Sequence, residues 1–159
     1  MHTEAQIWNW LGEVPDPEIP VVSVLDLGMV RSVSVGEGAV EIEVAPTYSG
    51  CPATEVIEDS IVSSLTERGV PGVSVRRVLS PAWTTDWITD EGRKKLREYG
   101  IAPPEKSAGK RELMGKTTVA CPRCASERTT LVSEFGSTAC KAAWKCEDCL
   151  EPFEYFKCI

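Results

Sequence analysis

Apolar and polar positions along this chain follow two periods, and the change between them marks its elements. In TEAQIWNWLGEV, Ile7, Trp8 and Leu11 share one helical face, and Thr3 has the side chain of an N-cap. PDPEIP then forces an extended or turned path, since three prolines in six residues forbid a regular helix. MVRSVSV and AVEIEVA alternate apolar with polar residues and are joined by GEG, a hairpin signal. Ile57, Ile61 and Leu65 recur every four residues and predict a helix over 53–68, stopped by Gly69. GVSVRRVL reads as a third strand, and TDEGRKKLREYG as an amphipathic helix with acid in its first turn and base further on. The order α-β-β-α-β-α predicts a small α/β domain with a short mixed sheet.

Beyond it the pattern fades. APPEKSAGKRELMGK is rich in Pro, Gly, Lys and Glu and reads as a linker. The expected organisation is a domain over 1–101, a linker over 102–117 and, around the cysteine pairs of CPRC and CEDC, a C-terminal zinc ribbon over 118–159, with short strands near 129–134 and 153–157. A unit that small generally needs a metal or disulfides.

Charge narrows the functions. Residues 1–100 hold 8 Lys+Arg against 16 Asp+Glu, and residues 101–159 hold 9 against 8. A phosphate backbone is repelled by the first part and barely attracted by the second, so nucleic acid is a poor partner. No stretch has the length and apolarity of a membrane span, and the first residues lack a signal peptide's basic and apolar regions. A cytoplasmic location is the expectation. The one histidine, His2, stands near the start, which removes His-based triads. Chemistry falls to cysteine and carboxylate.

Of seven cysteines, six lie after residue 120. CPRC (Cys121, Cys124) and CEDC (Cys146, Cys149) each predict a tight knuckle presenting two sulfurs, and two knuckles close a tetrahedral thiolate site. Zinc fits best, although spacing does not separate it from a single iron. A redox-active CxxC is the rival, but one dithiol would suffice for that. Four thiolates leave no open coordination position, so the ion holds structure. Cys140 reads as a small packed residue, and Cys158 has no assigned role.

Cys51 is different. In PTYSGCPATEV it stands in a small-residue turn, and Pro52 suits the first position of the following helix. A thiolate there is favoured by the helix dipole and could bind a soft metal. Thr47, Ser49 and Thr54 could add hydroxyl donors. A structural cysteine in a turn is the plainer alternative. Asp16, Glu18 and Asp26 punctuate an otherwise apolar stretch. Glu18, fixed between two prolines, could be a hard ligand or proton acceptor near Cys51, and Asp26 before Leu27-Gly28 suits a turn or cap. A solvated or turn-stabilising role is the plainer alternative for each.

DPEIPVVSVLDLGMV with PTYSGCPATEVIEDSI resembles the small Fe–S assembly domain family that includes SufT-type proteins. With SPAWTTDWITDEGRKKLREYGIAPP and CPRC…EPFEYFKC added, the chain is similar to the family of D-type components of phenylacetyl-CoA oxygenase (epoxidase) systems. That resemblance implies a non-catalytic accessory factor in phenylacetate catabolism that helps to assemble Fe–S or iron centres. Its implied partners are the oxygenase and reductase subunits, and a homodimer is implied as well. It places the family's GCP cysteine on Cys51, its DPE acid on Glu18 and its DLG acid on Asp26, which makes these three the candidate iron or Fe–S ligands. A structural subunit with an inert Cys51 is the alternative. An enzyme with Cys51 as nucleophile is the least supported, for want of a base.

Overall fold

The protein is described here by a computed structural model, covering residues 1–47, 51–104 and 119–157. The described chain forms two compact units that divide between Trp83 and Thr84.

The first unit holds α1 (Glu4–Leu11), β1 (Val30–Gly36), β2 (Ala39–Val44), α2 (Ala53–Glu67) and β3 (Val73–Arg77). Thr3 and Gln6 close a reciprocal capping box at the start of α1. β1 and β2 pair antiparallel across the Glu37-Gly38 turn, and β3 pairs parallel to β2, with α2 as the crossover. The sheet is therefore short and mixed, as its pattern predicts. The period-four stripe on α2 explains the packing. Ile57, Ile61 and Leu65 are 0–1% exposed, and they share the core with Ile7, Leu11 and Ile42. Each such side chain contributes about 1.5–3 kcal/mol by leaving water. Of the apolar residues expected on the α1 face, Ile7 and Leu11 are buried and Trp8 is half-buried, its indole donating to Glu4. Gly72 is held at φ +57 where the chain passes the hairpin, and a Cβ there would lie 2.5 Å from the Gly38 carbonyl oxygen.

The second unit begins with a 3-10 turn, Thr85–Trp87, and α3 (Asp90–Tyr99). Thr89 caps α3 by accepting from the Gly92 N–H, and Gly100 ends it at φ +93. A four-stranded sheet follows in the order β4 (Ile101–Ala102), β7 (Pro152–Phe156), β6 (Lys141–Cys146), β5 (Thr129–Ser133). β5, β6 and β7 run antiparallel to their neighbours, whereas β4 lies parallel to β7. The sequence pattern misses β4 and β6. Its linker begins at Ala102, which is in β4, while residues 105–117 lie outside the described residues. A small cluster of Val119, Cys121, Cys146, Phe153, Tyr155 and Ala102 forms the core beside the sheet, with Trp144 packed against it.

Candidate metal centre

The two CxxC segments converge. Cys121 and Cys124 turn back immediately ahead of β5, and Cys146 ends β6, so the β5–β6 ladder, in which Thr129 faces Cys146, brings the knuckles together. The four sulfurs all lie within 4.8 Å of one another, the one such group of three or more metal-ligating side chains among the described residues. Cys121 Sγ is 3.7 Å from Cys149 Sγ, and Cys124 Sγ is 3.5 Å from Cys146 Sγ. A tetrahedron with metal–sulfur bonds of about 2.3 Å has edges of about 3.75 Å. The donor set and its spacing therefore fit a four-thiolate metal site.

The two knuckles are held by different bonds but share one backbone feature. The Ala125 N–H donates to the Cys121 carbonyl at 2.9 Å, and the Cys149 N–H points at Cys146 Sγ at 3.5 Å. The residue after each second cysteine is left-handed without being glycine, Ala125 at φ 61 and Leu150 at φ 63. The Cys149 N–H, with that of Asp148, pulls the Cys146 thiol down to about 7 despite burial. The Glu151 N–H pulls at Cys149 likewise, but desolvation and the three neighbouring thiols push it up to about 12. One thiolate thus forms readily and discourages the next, a conflict that a divalent cation removes.

One acid within the second knuckle ties it to the first. Asp148 accepts from Arg128 and Ser126, while its neighbour Glu147 accepts from the Thr130 hydroxyl. The sequence displays the acid inside CEDC but not its partners, which only the β5–β6 pairing brings near. Cys140 is buried, as its plain reading expects. Cys158 lies outside the described residues.

In the first unit, Cys51 is half-buried and immediately precedes Pro52, the N-cap of α2. This is the placement its sequence setting predicts. Its carbonyl takes the Thr54 N–H at 3.2 Å, so that amide serves the backbone of Cys51. Thr54 is buried and Thr47 half-buried; Tyr48, Ser49 and Gly50 lie outside the described residues. The loop bearing Asp26 meets the segment leading to Cys51 at its base, where the Ala45 N–H donates to the Met29 carbonyl at 2.8 Å. Asp26 is buried, and its Oδ2 accepts the Ser23 N–H while the Ser23 hydroxyl accepts the Asp26 N–H. This reciprocal bond makes Asp26 a loop-shaping residue. Asp16 does the same upstream, its Oδ1 accepting the N–H groups of Glu18 and Ile19 at 2.8 Å each. Glu18 is half-buried in the turn that Asp16 forms. His2 bonds the Gly69 carbonyl and stacks edge-on against Trp10, which commits it to packing.

Comparison with known proteins agrees with these two parts. Residues 4–80 match the family described as iron-sulfur cluster assembly protein, and residues 105–157 match the PaaD zinc beta ribbon domain. A protein of Escherichia coli (strain K12), provisionally named as the D component of 1,2-phenylacetyl-CoA epoxidase, is 56% identical over 155 residues. That alignment covers 97% of this chain and 92% of the relative. An Fe-S protein maturation auxiliary factor of Porphyromonas gingivalis (strain W83) is 37% identical over 98 residues, covering 60% of this chain and 92% of the relative. Among solved structures, a DUF59 domain from Bacillus anthracis superposes with a TM-score of 0.55 at 26% identity, covering 58% of this chain and 90% of that one.

Proposed function

We propose, because this chain belongs to the family of D-type components of 1,2-phenylacetyl-CoA epoxidase, that it is an accessory maturation factor of a phenylacetyl-CoA oxygenase complex. It assists the assembly of Fe–S or iron centres in phenylacetate catabolism and does not itself oxygenate the substrate. The observation that carries this reading is the separation of two kinds of thiol. Four sulfurs converge within 4.8 Å, whereas Cys51 stands half-buried at the start of α2 in the iron–sulfur assembly part of the chain.

The two kinds suit different tasks. A four-thiolate site is coordinatively closed, which suits a resident zinc ion that organises the ribbon. Cys121, Cys124, Cys146 and Cys149 would hold it. Cys51 offers one soft ligand, and with an oxygen donor such as Glu18 it would grip iron or a cluster loosely enough to pass it on. Asp26, whose carboxylate also shapes the adjoining loop, would be the third candidate ligand. Cargo handling is thereby assigned to a domain of residues 1–101 and client docking to the ribbon of residues 118–159, joined by residues 102–117. The clients are the oxygenase and reductase subunits, and a homodimer would bring two Cys51 thiols into play.

No described helix is long and apolar enough to cross a membrane. The proposed place of this work is the cytoplasm.

The test is anaerobic metal analysis with absorption spectroscopy on the wild-type chain and on Cys51→Ser. Iron or cluster binding should depend on Cys51 while one ion per chain stays in the ribbon. Unchanged iron binding, client cofactor content and oxygenase activity in Cys51→Ser, with complexes still forming, would replace this reading by that of a purely structural component.

A further inference from the structure

The four-cysteine site has a support that contains no sulfur. Asp148 lies in the second knuckle, and both of its oxygens are used on the segment that leaves the first. Oδ1 accepts from Arg128 Nη1 at 2.6 Å, and Oδ2 accepts from the Ser126 hydroxyl. Ser126 Oγ in turn accepts the Arg128 N–H at 3.1 Å, and the Ser126 carbonyl accepts the Cys121 N–H at 2.9 Å. On the other side, the Glu147 N–H donates to the Arg128 carbonyl at 2.8 Å. One carboxylate therefore spans from the second ligand pair to the turn that sets the first. Asp has the reach for this, whereas Glu147 bonds Thr130 at 2.8 Å instead.

We infer that Asp148 is a positioning residue for the ion, a clasp that holds the two knuckles in register around it. The inference rests on the four-thiolate metal reading proposed above. Without the clasp, the β5–β6 ladder and the Glu147–Arg128 backbone bond still bring the knuckles near one another, but the ion must supply the remaining order between them at the expense of its affinity. Groups that orient metal ligands from outside the coordination sphere commonly account for about 10–100-fold in affinity. Arg128 and Asp148 side chains are 74% and 39% exposed, so water weakens their attraction, and the lower end, about tenfold, is the expected size.

The full chain, stripped of metal, is titrated with Co2+ against a competing chelator, in wild type, Asp148→Ala, Asp148→Asn, Arg128→Ala and the Asp148→Ala/Arg128→Ala double variant. Asp148→Ala should bind about tenfold more weakly and release the ion correspondingly faster. The thiolate-to-cobalt absorption should be unchanged, because the same four sulfurs bind. Asp148→Asn, which keeps an acceptor oxygen, should recover part of the loss. Adding Arg128→Ala to Asp148→Ala should cost nothing more, since the partner is already gone. Affinity within about twofold of wild type in Asp148→Ala, or full additivity in the double variant, overturns the clasp alone. A wild-type chain that takes up no Co2+ with a four-thiolate spectrum overturns the metal reading first, and the clasp with it.

Discussion

Replacing Cys146 by serine tests how far the ribbon depends on its ion. Cys146 is fully buried, ends β6 and lies 3.5 Å from Cys124 Sγ, so its loss opens the site from inside. Structural zinc in small ribbons is worth on the order of 10–16 kcal/mol near neutral pH. If the four ligands share this evenly, one is worth roughly 2.5–4 kcal/mol, or about 10²–10³ in affinity. The large apolar side chains of the ribbon cluster are few, Val119, Phe153 and Tyr155. At about 1.5–3 kcal/mol each, they supply less than the ion does. Cys146→Ser should therefore lose both zinc and ribbon order at chelator concentrations the wild type tolerates. Trp144, which packs edge-on against Tyr155 with ring centroids 6.1 Å apart, is the reporter through its indole NMR signal or emission. The core of the first unit, built on Ile7, Leu11, Ile42, Ile57, Ile61 and Leu65, should keep its own unfolding transition. A variant that holds one zinc with wild-type affinity and an unchanged Trp144 signal would refute the ligand assignment and the dependence together.

Thiol acidity and backbone strain can be tested separately. Metal uptake should release protons and tighten as pH rises through about 7, where Cys146 ionises, because bound thiols must be deprotonated and Cys149 is still protonated there. Protons released on metal addition, counted at several pH values, should become fewer as pH rises through about 7, and a count that does not change across that range would contradict this. Gly72→Ala should destabilise the first unit by more than the roughly 1 kcal/mol of left-handed strain, because its Cβ would also meet the Gly38 carbonyl at 2.5 Å. Denaturant unfolding reads this out, and a change under about 0.5 kcal/mol would contradict it.

The parts of the fold set by local chemistry were legible in the sequence. The stripe Ile57, Ile61, Leu65 gave α2 to within a residue or so, and Thr89 and Gly100 bracket α3 as cap and stop. The alternating runs on either side of GEG gave β1 and β2. What escaped was set at a distance. β6 is a central strand flanked by β5 and β7, and its KAAWKC shows no alternation because both neighbours and the cysteine cluster shape its burial. β4 is two residues long and exists only through its pairing with β7. The convergence of Cys121, Cys124, Cys146 and Cys149 was legible because a knuckle is a local motif. The acids were harder, since the same residue types serve as ligand and as turn former. Asp26 and Asp16 both bond N–H groups two or three residues away, which no periodicity distinguishes from a metal ligand.

The parallel contact of β4 with β7, Ile101 opposite Glu154 and Ala102 opposite Tyr155, carries a consequence for biogenesis. A ribosome delivers the first unit's strands and helices well before it delivers residues 152–156, so that unit can become native while the ribbon sheet still lacks a strand. Ile101 and Ala102 must wait for about fifty more residues of translation before they find their neighbour. Any ion that the cysteine cluster holds is locked in only once that sheet is complete, and a nascent chain starved of metal should stall as a finished first unit trailing an incomplete ribbon.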